Sequence, residues 1–186
     1  KMKNYWQNAV TFDEYIKETE RRIEVQNPED DHNEYYELGL QRMNRTLKTY
    51  KVDEEQLETL KSKNFNGKIL IITEPWCGDA SATVPAVSKF FEGHNEVRIF
   101  YRDSDTSLID QFLTNGTQSI PKILILNEDF SLKNVWGPRP QYGTELLKKF
   151  KENPETYPRE EFYNDLQVYY AKNKGKDAIQ EILELL

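Results

Sequence analysis

The sequence contains very little cysteine and histidine. Its 186 residues include one cysteine, Cys77, and two histidines. A single cysteine cannot form an internal disulfide, and secreted domains that depend on disulfides carry several cysteines. We therefore expect a cytoplasmic, reducing setting. These few side chains also lack the spacing typical of metal ligands, so the sequence predicts no metal site.

The chain also lacks a surplus of basic residues and a long apolar run. Lys and Arg number 25 against 32 Asp and Glu, a formal net charge of −7. Proteins that bind nucleic acid or anionic membranes usually carry excess positive charge, so we expect neither partner. No apolar stretch approaches the length of a membrane span, and the first ten residues lack the apolar centre of a signal peptide.

The strongest structural signal lies in residues 68–90. Four consecutive apolar residues, Ile69–Ile72, predict a buried strand, after which the chain turns and brings Cys77 to the start of a helix. Unpaired backbone N–H groups and the helix dipole at that position favour a thiolate. The position predicts a reactive Cys77 with a pKa below the usual ~8.5. The alternative is an inert, buried thiol.

Periodic patterns predict the elements on either side. Residues 11–62 read as amphipathic helices, with a capping box between Thr11 and Glu14 and a later cap at Asp53. Alternating apolar residues predict further strands at 97–101, 122–126 and 132–136. A helix ending at Asn115-Gly116 is predicted from the spacing of four apolar residues: Leu108, Ile109, Phe112 and Leu113.

Three motifs resemble those of the thioredoxin superfamily. Trp76–Asp79 stands where that family has a Trp-Cys-Gly-Pro turn, Pro85 follows the cysteine by eight positions, and Ile120-Pro121 matches a pair joined by a cis peptide bond in that fold. A closer similarity is to bacterial thioredoxin-family proteins with a single-cysteine Trp-Cys-Gly-Asp-Ala motif and a later Trp-Gly-Pro-Arg-Pro, here Trp76–Ala80 and Trp136–Pro140.

The resemblance implies an α/β, thioredoxin-like fold. Its centre would be a mixed sheet of about four strands flanked by helices. Residues 65–153 would form this core, residues 1–64 an N-terminal helical extension, and residues 154–186 a C-terminal helical extension packed on the core. The N-terminal extension either simply covers core surface or also forms a wall beside Cys77 that selects the partner.

Two departures from the dithiol pattern limit the chemistry. Ala80 stands where dithiol thioredoxins have a second cysteine, and Ile71 stands where they have a buried acid. An external thiol such as glutathione would therefore act as co-substrate, with no resident cofactor. Asp79 is the candidate replacement for the missing acid, or simply an acid that complements the helix dipole. Its carboxylate would favour the neutral thiol if it lies near the sulfur.

The other candidate site residues are assigned to ligand contact. The resemblance implies that Trp76 and Gly78 flank the thiol, with Trp76 exposed to a partner. Ile120, held by Pro121, would offer its backbone to an extended peptide or to glutathione. Arg139 either binds an acidic group or belongs to a structural loop.

Two functions fit these residues. The first is a monothiol redox protein that acts through Cys77 on mixed disulfides or glutathionylated thiols, with proteins or small thiols as partners. The second is a non-catalytic binding module that uses the groove around Trp76 and Pro121. A third and weaker hypothesis is an iron–sulfur cluster shared between two subunits with glutathione. A sulfur buried in apolar packing would argue against the redox function.

Overall fold

The computed structural model describes residues 1–186 as eight α-helices and one four-stranded sheet. The elements are, in chain order, α1 (Met2–Gln7), α2 (Phe12–Val25), α3 (Asn33–Thr49), α4 (Glu54–Lys63), β1 (Lys68–Thr73), α5 (Ala80–Phe91), β2 (Val97–Tyr101), β3 (Lys122–Leu126), β4 (Leu132–Trp136), α6 (Gln141–Glu152), α7 (Arg159–Asn173) and α8 (Lys176–Glu184). None of the helices combines the length and the apolar character needed to cross a membrane.

The sheet is mixed, with strand order β2-β1-β3-β4. Strand β1 pairs in parallel with β2 and antiparallel with β3, so that Ile71 faces Ile99 on one side and Ile123 on the other. Residues 69–73 of β1 are buried. A central strand covered on both faces needs apolar residues at successive positions, which explains the unbroken run Ile69–Ile72. The predicted mixed sheet flanked by helices is confirmed.

The predicted helices before the sheet are also confirmed. Thr11 and Glu14 form the capping box of α2, and the side chain of Asp53 accepts the N–H of Gln56 at the start of α4. The structure adds α1, a helix too short to give a clear period in the sequence, which buries Trp6.

The helix predicted between residues 103 and 116 is wrong. This segment forms two short 3₁₀ helices, Arg102–Ser104 and Ile109–Gln111. Local polar side chains bond to the backbone instead, as when Asp105 accepts the N–H of Ser107. Such bonds compete with those of an α-helix, and this competition explains the difference.

The C-terminal helices complete the core. Four residues of α8 are 0–1% exposed and belong to the main apolar cluster with β1 and α5: Ala178, Ile179, Ile182 and Leu183. Helix α7 forms a smaller cluster with Tyr157 and with Ala82 of α5, through Phe162, Leu166 and Tyr170. Both C-terminal helices therefore pack against the helix that follows Cys77.

Candidate functional site

The turn that carries Cys77 joins the end of β1 to the start of α5. Cys77 lies three positions before Ala80, the first residue of that helix. Its N–H donates to the carbonyl of Glu74 (3.2 Å), and its own carbonyl accepts the N–H groups of Ala80 and Ser81. The cysteine thus lies at the N-terminal end of α5.

The sulfur of Cys77 is buried. Cys77 is only 9% exposed, and its thiol donates a hydrogen bond to the carbonyl oxygen of Ile120, with Sγ and the oxygen 3.3 Å apart. The Ile120–Pro121 peptide bond is cis, and both residues are buried. The structure brings these three residues together, but it leaves Pro121 covered rather than lining an open groove.

The environment of the thiol opposes ionisation. Burial raises the pKa of Cys77 to about 12, and the negative charge of Asp79 adds to this effect. The N–H groups of Ala80 and Asp79 act in the opposite direction with a smaller effect. The lowered pKa predicted from the helix position is therefore wrong. The sequence shows where the helix begins but not how fully other elements exclude water from the sulfur.

Asp79 belongs to a largely buried cluster with Arg139 and Tyr170. Oδ2 of Asp79 lies 3.0 Å from Nη2 of Arg139, and Oδ1 accepts a short hydrogen bond from the hydroxyl of Tyr170. Arg139 thus has its acidic partner within the chain. No motif in the sequence points to Tyr170, which lies 91 positions after Asp79. The cluster ties the turn to the loop before α6 and to α7.

Trp76 packs against polar side chains and is half-buried. His32 stacks on its ring with the centroids 4.1 Å apart, and the guanidinium of Arg102 lies 5.0 Å from the ring centroid. The exposed tryptophan that the resemblance implies is therefore partly covered by residues of this chain.

An open cleft of about 590 Å³ lies beside Trp76. On its wall, Arg22 from α2 contacts Glu18 (2.9 Å), the buried Glu74 (3.3 Å) and the hydroxyl of Tyr36 (3.2 Å). Burial raises the pKa of Glu74. The cleft therefore combines an aromatic surface with fixed charges.

Two helices from outside the sheet region reach the turn. A Cβ on Gly39 of α3 would lie 2.5 Å from the carbonyl oxygen of Pro75, so the helix crosses the turn at this glycine. At Gly78, Gln167 of α7 donates to the carbonyl oxygen (3.2 Å), and Nη1 of Arg42 lies 3.7 Å from the position of a Cβ. Helices α3 and α7 therefore shield the turn from solvent.

The chemistry available at the turn is narrow. It offers one sulfur, which is held as a thiol, and no second cysteine. The structure places no group of three or more His, Cys, Asp or Glu side chains so that they could hold a metal ion. A ligand meets aromatic and charged side chains at this face rather than an exposed nucleophile.

Two solved structures share this architecture over nearly their whole length. A crystal structure of an HIV epitope scaffold is 15% identical, with a TM-score of 0.67, covering 98% of this chain and 94% of that one. A protein of unknown function from Pseudomonas aeruginosa is 17% identical, with a TM-score of 0.60, covering 97% and 93%. At these identities the likeness concerns the fold.

None of the curated proteins compared with this chain matches it. A family model described as Thioredoxin matches residues 25–151, more than half of the sequence. It spans the strands β1 to β4, the Cys77 turn and the cis Ile120–Pro121 bond. The chain therefore belongs to the thioredoxin family.

Proposed function

We propose that this chain is a non-catalytic thioredoxin-fold binding protein. The observation that carries this function is the state of Cys77, whose buried thiol donates to Ile120 and has its pKa raised to about 12. The thiolate is the reactive form of cysteine. Because this pKa lies far above neutrality, Cys77 is held almost entirely as the neutral thiol at pH 7.

The binding face that this function uses lies around Trp76. The cleft beside it is lined by aromatic rings, including Tyr36 and Tyr101, and by the ion pair of Arg22 with Glu74. Concave sites that combine aromatic surface with a few fixed polar groups are typical of ligand binding. Pro121 is buried and takes no part in this face.

The pH dependence of Cys77 alkylation tests this function. We expect iodoacetamide to react slowly with the folded protein up to pH 9, because the thiol stays neutral. The same chain in denaturant supplies the control, since its only cysteine should then ionise near ~8.5. A folded-state midpoint well below pH 8, together with a glutathione adduct detected by mass spectrometry, would show that Cys77 is reactive and contradict the proposal.

A monothiol redox function is the second candidate. It is favoured by the N–H groups of Ala80 and Asp79, which act on the sulfur and would stabilise a thiolate. The thiolate of Cys77 would attack a glutathionylated thiol, form a mixed disulfide with glutathione and release the substrate as a thiolate. A second glutathione would then attack this mixed disulfide, which forms oxidised glutathione and returns Cys77 to its thiolate.

The Cys77→Ser variant separates the two candidates. Under the redox function, the unmodified chain reduces a glutathionylated protein, and the Cys77→Ser variant loses all of this activity. Under the binding function the unmodified chain shows no such activity above the rate with glutathione alone, and the variant binds its ligand as the unmodified chain does.

A further inference from the structure

Arg42 of α3 is a half-buried arginine without an acidic partner. Its guanidinium forms no ion pair and no hydrogen bond, although the chain carries 32 acidic residues. Burial lowers its pKa, and the nearby charge of Arg45 lowers it further. The other arginines near the turn, Arg22 and Arg139, each contact a carboxylate. A partly buried cation is costly unless it is paired, so Arg42 stands out.

Arg42 points its charge at the Cys77 turn. If Gly78 carried a Cβ atom, Nη1 of Arg42 from α3 would lie 3.7 Å from it. Nε2 of Gln167 from α7 would lie 3.0 Å from the same atom. Gln167 uses one N–H for the carbonyl of Gly78, and the Arg42 guanidinium forms no hydrogen bond with another group of the chain. Of the two side-chain donors that lie against Gly78, only the Arg42 guanidinium has no partner within the chain.

Apolar side chains continue this surface along α3. Tyr35, Leu38, Arg42 and Arg45 are three, four and three positions apart, so they share one face of the helix. Tyr35 is 48% exposed and Leu38 is 44% exposed. The acid-binding stripe, defined as these four residues, thus joins two guanidinium groups to an exposed apolar surface.

We infer that the acid-binding stripe binds an acidic peptide segment of a partner protein. Guanidinium groups pair with carboxylates through two parallel hydrogen bonds, and Arg42 and Arg45 offer two such groups. The apolar surface of Leu38 and Tyr35 favours a peptide over a free inorganic anion. This site rests on the proposed binding function and deepens it, because it names the chemistry of the segment bound beside the turn.

Titration with a short peptide tests this site. The probe is an end-blocked pentapeptide of three Glu residues flanked by two Leu residues, and the matched probe has Gln in place of Glu. We expect the acidic probe to shift the backbone amide resonance of Gly78 saturably, and to bind about 10-fold more tightly than the Gln probe. The full-length protein is used throughout.

Matched variants identify the group responsible. Arg42→Gln should weaken binding of the acidic probe about 10-fold. Lys61→Gln removes the same charge from an exposed position of another helix, α4, and should leave binding unchanged. The melting temperature of Arg42→Gln should stay the same or rise, because the substitution removes an unpaired cation. If Arg42→Gln does not fold, Arg45→Gln replaces it, with weaker binding again expected.

Several results would overturn the site. The first is equal binding of the two probes, and the second is an equal loss of binding in Arg42→Gln and Lys61→Gln. The third is competition by inorganic phosphate that is as strong as competition by the acidic peptide itself. Neither probe contains sulfur, so binding is independent of the state of Cys77. Rapid alkylation of Cys77 would contradict the proposed function and leave this site standing, whereas absent peptide binding would remove only this site.

Discussion

At the scale of single residues, Asp79 links the ionisation of the sulfur to the docking of α7. Burial is the largest cause of the raised pKa of Cys77, and the negative charge of Asp79 is the second. The same carboxylate pairs with Arg139 and accepts a hydrogen bond from Tyr170. One side chain therefore acts on the thiol and on the packing around it. The sequence places Asp79 near the sulfur and predicts the sign of its effect on the thiol, which is confirmed. No local sequence pattern indicates that Arg139 and Tyr170 are its partners.

Replacing Asp79 by Asn should separate these two effects. We expect Cys77 to react faster with iodoacetamide at a fixed alkaline pH, because one cause of the raised pKa is gone. The free energy of unfolding should fall by about 1–3 kcal/mol, because the largely buried charge of Arg139 loses its partner. Glu152→Gln, in an exposed pair with Lys148, is the control and should change neither quantity. Unchanged alkylation in Asp79→Asn would disprove the electrostatic link.

The raised pKa of Cys77 also predicts how stability depends on pH. The unfolded thiol ionises near ~8.5, whereas the folded pKa is about 12. The stabilising effect of the neutral thiol is therefore complete below the unfolded pKa and is lost as pH rises toward the folded value. The free energy of unfolding, measured relative to Cys77→Ser, should fall on the order of 1–2 kcal/mol from pH 7 to pH 10. A constant difference would mean that the folded thiol ionises normally.

At the scale of elements, the path of α3 depends on one glycine. A Cβ atom added to Gly39 would lie 2.5 Å from the backbone carbonyl oxygen of Pro75. Backbone cannot swing aside as a flexible side chain can, so α3 approaches the turn this closely only with glycine. The same close approach brings Arg42 beside Gly78 and helps to cover Cys77.

Gly39→Ala should therefore destabilise the protein although alanine favours helices. We expect the free energy of unfolding to fall by about 1–3 kcal/mol in urea titrations, because α3 must move away from the turn. Gly143→Ala in α6 is the matched substitution. There the nearest atoms belong to the side chains of Leu166 and Arg139, at 3.1 and 3.2 Å, and a side chain gives way more readily than backbone. The loss of stability there should therefore be smaller than at Gly39. Equal losses at both glycines would contradict this account.

The elements that the sequence predicts well are those with a strong local signal. The run Ile69–Ile72 and the capping box of α2 each depend on neighbouring residues, and both are confirmed. Near Ile109, apolar spacing wrongly predicts an α-helix in place of the 3₁₀ segments, because spacing alone does not show which side chains bond to the backbone. The cover over Cys77 depends on contacts between distant parts of the chain, so its burial has no local signature.

At the scale of the whole molecule, the segment after the matched family region is part of the core. The family model ends at residue 151, yet α7 covers the turn and α8 fills the main apolar cluster. Glu181 of α8 also accepts hydrogen bonds from the ring N–H of Trp136 and the N–H of Gln141. Helix α8 thus holds the end of β4 and the start of α6 as well as the sheet.

Deletion of residues 174–186 should abolish folding rather than release a smaller folded core. Truncating one buried Ile or Leu costs about 2–5 kcal/mol, and this deletion removes Ile179, Ile182 and Leu183, each at most 1% exposed. The sum is comparable to the ~5–15 kcal/mol that stabilises a typical domain. Thermal unfolding followed by circular dichroism should show no cooperative transition, whereas deletion of only the half-exposed Leu185 and Leu186 should preserve one. If the chain without residues 174–186 melted cooperatively from a native-like spectrum, α8 would be an addition to an independently stable core.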